Sequence, residues 1–201
     1  MLSIIEAAGW PIWPLIIASV LALAIILERL WSLNSNLVAP KSLLSKVQEG
    51  LKQGGVTAEV LADLEKHSPL GRVFAAGLRN IGSSREVMKE AIEETGRAVT
   101  HELERFLTTL GTIASVSPLL GLLGTVIGMV EIFGALTPTG GSPAMLAHGI
   151  SVALYNTAMG LIVAIPAMIF YRYFRARVET LVIEMEQQAV KLVEIVHGER
   201  K

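Results

Sequence analysis

Two threonines and one glutamate are the residues most able to do chemistry in this chain, because they lie in long apolar segments that hold almost no charged side chains. Thr125 sits in one long run of small and aliphatic residues and Thr157 in another, and Glu131 follows Thr125 by about a turn and a half of helix. A hydroxyl in such surroundings can hydrogen-bond a second hydroxyl, a water, or a carboxyl group supplied by a partner. That is chemistry for handing on a proton. A threonine by itself in an apolar helix is ordinarily satisfied by a carbonyl of its own helix, so it is the pairing of two that points to a site.

Small residues flank both threonines at helical spacing. Ser117, Gly121, Thr125 and Gly128 share one face of the first run, with Pro118 and Gly124 beside it, and Ala153, Thr157, Gly160 and Ala164 share a face of the second. Two readings fit this pattern. Small side chains let helix backbones approach closely, and the same faces can also form the wall of a pore.

These runs belong to an integral membrane protein. A hydrophobic fraction of 52% with only 17% charged residues in 201 is too apolar for an ordinary soluble domain. All 17 Lys and Arg lie at Arg29, between Lys41 and Arg105, or from Arg172 onward, and the segments before Arg29 and between Phe106 and Tyr171, which contain the three long apolar runs, carry none. By the positive-inside rule the N-terminal residues 1–9 and a loop at 137–144 face outward, while 32–105 and 174–201 face the cytoplasm. The spans are then 10–31, 106–136 and 145–173, each long enough to cross about 30 Å of hydrocarbon. The second rises outward and the third returns. Thr125 and Thr157 each lie about ten residues from the outer end of their span, which places them near one depth at mid-membrane. Glu131 is then a candidate for proton uptake from outside or an acid reaching water near the interface, and His148 reads as an interfacial residue where a helix starts. A cleaved leader is disfavoured, because no basic residue precedes the first run and the run continues past Ala22-Leu23-Ala24.

The polar stretch 32–105 is punctuated by Pro40, Gly54-Gly55, Ser68-Pro69 and Gly82, which divide it into short helices. Ser83-Ser84-Arg85-Glu86 reads as a capping box. After it Met88, Ile92, Thr95, Val99, Leu103, Phe106 and Leu110 form an apolar stripe expected to run directly into the second span as one helix. Ser142-Pro143 is expected to cap and start the third span. In the tail Val178, Leu181, Met185, Ala189, Leu192 and Val196 make a near-heptad packing face. Glu28 and Arg29 are expected to reach the inner headgroups.

Absences narrow the function. There is no Cys, so no thiolate chemistry, and no Walker-type phosphate loop, His/Asp metal cluster or nucleophile motif. The chain is read as a non-enzyme with no cofactor, no metal and no nucleic-acid partner. A proton pump needs a titratable group at depth. The spans offer none at the centre, so that carboxylate must come from another chain.

The run Ser117-Pro118-Leu119-Leu120-Gly121-Leu122-Leu123-Gly124-Thr125-Val126-Ile127-Gly128-Met129 resembles the second-span signature of the MotA/TolQ/ExbB proton-channel family. Gly149-Ile150-Ser151, Ala153-Leu154, Asn156-Thr157-Ala158-Met159-Gly160-Leu161 and Ala164-Ile165-Pro166 are similar to its third-span signature. The resemblance covers essentially the whole chain and lies nearest ExbB and TolQ. It implies an all-α, three-span protein of the bacterial inner membrane whose long second and third helices extend into the cytoplasm. It also implies a homopentamer around a central pore, holding the helices of a dimer of a single-span ExbD/TolR-like partner. An Asp on that partner takes up and releases protons beside the threonines matched by Thr125 and Thr157, and the output passes to a periplasmic TonB/TolA-like transducer. One position departs from the family pattern: Val152 stands where Glu is common, so a relay through that Glu is closed here. A flagellar-type stator is the alternative within the family, disfavoured by three spans instead of four. A passive oligomeric scaffold is the alternative from a different class.

Overall fold

The computed structural model describes residues 9–53, 55, 57–134 and 143–198, and among these every regular element is a helix. In chain order they are α1 (Ile12–Ser32), α2 (Ser35–Val38), α3 (Leu43–Gln53), α4 (Ala58–His67), α5 (Pro69–Arg79), α6 (Arg85–Leu103), α7 (Leu107–Gly134) and α8 (Pro143–Val196). The all-α expectation holds. Most of the expected loop at 137–144, the N-terminal residues before Gly9, and Ser142 lie outside the described residues.

Three helical stretches are long and apolar enough to cross a membrane: Ile12–Ser32, one within Arg85–Gly134 and one within Gly149–Val196. The chain divides into two units. An apolar unit takes the chain up to Glu28 together with Phe106–Tyr173, and a polar unit takes Arg29–Arg105 with the chain from Phe174 onward.

Along most of the α7–α8 contact in the apolar unit large side chains face outward and small ones inward, the reverse of a water-soluble core. Leu119, Leu122, Val126 and Val130 of α7 and Leu154, Ile162, Ile165 and Ile169 of α8 are exposed, whereas Ala114, Ser117, Gly121, Ala153, Ala164 and Ala167 are buried. Lipid tails are as apolar as leucine, so nothing drives large aliphatic groups inward, and close backbone packing selects small ones. On α1, Ile12, Leu15, Ala22 and Ile26 form the buried face, and Trp10, Trp13 and Trp31 are exposed near its ends. That is where indole rings favour the membrane interface.

The polar unit has a conventional core. Leu70, Val73, Phe74 and Leu78 of α5 pack with Met88, Ile92 and Val99 of α6, all nearly fully buried. Of the tail face expected from the sequence, Val178, Leu181, Met185, Ala189 and Leu192 are buried in the same unit and Val196 is half-buried. Ser68 ends α4 and caps α5, its hydroxyl accepting from the Gly71 N–H at 3.0 Å with Pro69 behind it. Gly71 is required there, because a Cβ would lie 2.1 Å from the Leu64 carbonyl oxygen. Arg72 holds Glu102 through two hydrogen bonds at 2.5 and 3.0 Å, and Arg79 pairs with Glu65 at 2.7 Å. The Arg72 guanidinium holds the Glu102 carboxyl below the usual glutamate range, and Glu102 in turn raises Arg72.

Three local expectations are corrected. The cap of α6 is Ser84, not Ser83. Its hydroxyl accepts from Val87 N–H, while Glu86 uses its own backbone N–H and the Ser84 hydroxyl, which lower its carboxyl. The apolar stripe does not run on as one helix: α6 ends at Leu103, Phe106 adopts φ 64°, and α7 begins at Leu107. A left-handed residue breaks the i to i−4 ladder even where side-chain periodicity continues. Arg29 does not reach outward. It is buried, donating from Nη1 to the Leu103 carbonyl at 3.2 Å, while Glu28 is exposed. Helix α6 ends with free carbonyls, and a cation there satisfies one and complements the helix dipole.

Candidate functional site

The site is built on one seam. From Ile132 to Gly111 along α7, the contacts on α8 run from Gly149 to Tyr171, so the two helices are antiparallel and in register. Glycines set the separation. A Cβ on Gly121 would lie 2.7 Å from the Asn156 carbonyl oxygen and 3.1 Å from Thr157 Cα, and one on Gly160 would lie 2.6 Å from the Ser117 carbonyl oxygen. Those neighbours are backbone atoms that no rotamer can move. Gly128 is looser, with Ala153 Cβ at 3.5 Å.

Of the small-residue positions, Ser117, Gly121, Ala153, Gly160 and Ala164 are therefore buried inside this chain, with Gly128 partly so. Of the two readings the sequence left open, close helix contact is what this geometry displays. Side chains beside the seam, such as Leu119 and Leu123 on α7 or Leu154 and Leu161 on α8, point away from it and are exposed.

The two threonines meet this seam one helical turn apart. Thr157 Oγ1 donates across it to the Gly121 carbonyl at 3.4 Å. In an α-helix that same carbonyl receives the N–H of the residue four further on, which is Thr125. The Thr157 hydroxyl and the Thr125 backbone thus converge on one oxygen. Thr125 Oγ1 donates to its own helix at Leu122 O, 2.6 Å away, and the residue is only half-buried. Both hydroxyls retain lone pairs to accept a further hydrogen bond.

Glu131 is not brought to the threonines. It is exposed, about 9 Å further along α7 from Thr125 at ~1.5 Å per residue. Val152 is half-buried one turn before Asn156. Asn156 itself is a site residue that motif reading quoted without assigning a part to it. It is 1% exposed, the residue before Thr157, and set against Gly124. Its signal in the sequence was a carboxamide inside an apolar span, but only the register of the two helices shows where it lies.

Residues 65–187, more than half of the chain, match the MotA/TolQ/ExbB proton channel family. The chain belongs to that family. It is 33% identical over 168 residues to the putative biopolymer transport protein ExbB-like 1 of Synechocystis sp., covering 82% of this chain and 66% of that protein. It is also 33% identical over 170 residues to biopolymer transport protein exbB1 of Vibrio cholerae, covering 81% and 74%. With the Tol-Pal system protein TolQ of Pseudomonas aeruginosa the identity is 31% over 180 residues, covering 84% and 78%. Both members of the polar convergence, on α7 and on α8, fall within the part of the chain that the family match covers. So do the glycines that set the seam and α5 and α6 of the polar unit.

Proposed function

We propose that this family member is the channel subunit of an ExbB/TolQ-type motor in the bacterial inner membrane. With a single-span ExbD/TolR-like partner it converts proton flow into work on a TonB/TolA-like periplasmic transducer. The observation that carries the reading is the Thr157 hydroxyl crossing the seam to the Gly121 carbonyl, one turn from the half-buried Thr125, in an apolar unit whose α7 and α8 spans hold no Lys or Arg before Arg172. Such a place accepts a proton-bearing carboxyl group from a second chain and supplies no charge of its own that would hold the proton there. The partner brings the titrating group. Thr125 and Thr157 hydrogen-bond it in turn as it is loaded and unloaded, and five copies of the seam surround it. By the positive-inside rule the basic residues of the polar unit support a cytoplasmic location for it, with the N-terminus outside. Moving one charge through about 100 mV supplies about 2.3 kcal/mol, enough for a modest conformational step.

Reconstituted in liposomes with its candidate single-span partner, the wild type should show proton flux that is absent without the partner and falls in both Thr125→Ala and Thr157→Ala. Normal assembly with no partner-dependent flux in any sample refutes the reading. One observation favours a second reading, a passive scaffold: the glycine and alanine faces are already occupied by contacts within the chain. The same measurement separates the two.

A further inference from the structure

A buried carboxamide in a seam of small residues is costly unless its polarity is used. The outward faces of the apolar unit meet hydrocarbon, and Asn156 is 1% exposed inside it. Its side chain fills the space that Gly124 leaves: a Cβ there would stand 2.7 Å from Asn156 Cβ, 2.8 Å from Cγ and 3.2 Å from Nδ2. Nδ2 donates to the Val152 carbonyl of its own helix at 3.4 Å, a long bond. Apolar packing would serve stability at least as well, since burying an amide in apolar surroundings carries a desolvation cost that aliphatic carbon does not.

The position of that amide is specific. Gly124 immediately precedes Thr125, and Asn156 immediately precedes Thr157. The Asn156 backbone carbonyl also abuts Gly121, whose own carbonyl receives the Thr157 hydroxyl. One turn further along α7, Ser117 is 1% exposed and its Oγ has no hydrogen-bond partner among the described residues. Polar groups are thus concentrated in the seam around the level of the two threonines.

We propose that Asn156 is a positioning residue for proton transfer at the Thr125–Thr157 level. Its side chain, seated in the Gly124 notch, holds α8 at the rotation that presents the Thr157 hydroxyl. It also keeps the seam polar where that hydroxyl works. It acts through Thr157 and is not itself the proton carrier. The inference rests on the channel reading above.

The test is partner-dependent proton flux in liposomes across a pH series, beside assembly of the co-purified complex. Asn156→Leu keeps the shape and removes the polarity. It should assemble with unchanged thermal stability, lose about threefold or more of the flux, the scale of one polar side-chain contact in a membrane bundle, and shift the pH profile. Asn156→Thr and Asn156→Val, both smaller than the native side chain, differ from each other only by a hydroxyl, and Thr should keep more flux than Val. Wild-type flux and pH profile in Asn156→Leu, or equal flux in the Thr and Val variants while Thr157→Ala still lowers it, overturn the proposal and leave the channel reading standing. Absence of partner-dependent flux in the wild type overturns both.

Discussion

The distance between α7 and α8 is set by backbone contact at two glycines, and adding one methyl group tests this directly. In Gly160→Ala the new Cβ would stand 2.6 Å from the Ser117 carbonyl oxygen and 3.2 Å from Gly121 Cα, where ordinary contact begins at 3.4 Å. The shortfall at the oxygen is 3.4 less 2.6, about 0.8 Å, and no side-chain rotation relieves it because both neighbours are main chain. The helices must separate by a comparable amount, at about 1–3 kcal/mol for overpacking of this kind. Separation also ends the Thr157 to Gly121 bond, already at 3.4 Å. Gly121→Ala meets the same obstacle, with the Asn156 carbonyl oxygen at 2.7 Å, whereas Gly128→Ala meets Ala153 Cβ at 3.5 Å and fits. Thermal unfolding of the purified proteins in one detergent should rank Gly128→Ala near wild type, with Gly121→Ala and Gly160→Ala several degrees lower. In liposomes with the partner, the two low variants should also lose flux. A Gly160→Ala protein as stable as wild type, or a Gly128→Ala protein equally damaged, would refute backbone contact as the determinant of the spacing.

Other perturbations reach the remaining elements. Gly96→Ala in α6 adds a Cβ with nothing within 4 Å, at the wall of a cavity of about 560 Å³, so it should raise the thermal midpoint, stabilising by the helix propensity gained, about 0.5–1 kcal/mol. Folded Glu102 titrates below its ordinary 4.5, so the unfolded chain binds protons first as pH falls. The Arg72–Glu102 contribution is therefore full above about pH 4.5 and lost as pH drops through the folded value. Because the pair is substantially exposed, Arg72→Met should lower stability at pH 7 by only about 0.2–1 kcal/mol, with the difference from wild type vanishing in acid. At Phe106, held at φ 64°, glycine adopts the left-handed backbone freely and a β-branched residue does not. Phe106→Val should melt below Phe106→Gly by about 1–3 kcal/mol, and the reverse order would remove strain at that junction as a factor.

How much was legible in the sequence differs from element to element. Helical class and three apolar stretches followed from composition and periodicity, since an apolar run of about 20 residues has few other folded uses. The tail face from Val178 to Leu192 and the Ser68-Pro69 boundary were equally legible, because a heptad-like stripe and a capping serine act through neighbours on the same helix. The break in the helix at Phe106 was not, since side-chain periodicity carries no information about one backbone dihedral. Nor was the role of Arg29, whose acceptor is 74 residues away.

The site divides in the same way. Residue types by themselves determined that the spans hold threonine hydroxyls and no central acid, and that glycine and alanine line one face of each helix. Only the tertiary structure decided that Thr157 reaches the carbonyl above which Thr125 sits, that Asn156 occupies the place of the missing Gly124 side chain, and that Glu131 stands apart from both. The physical reason is that helix spacing assigns a residue to a face and a depth, whereas the register between two helices is chosen by contacts of a few tenths of an ångström at their glycines. Those contacts depend on the backbone of one helix meeting the backbone of the other, and no pattern within either segment encodes the distance.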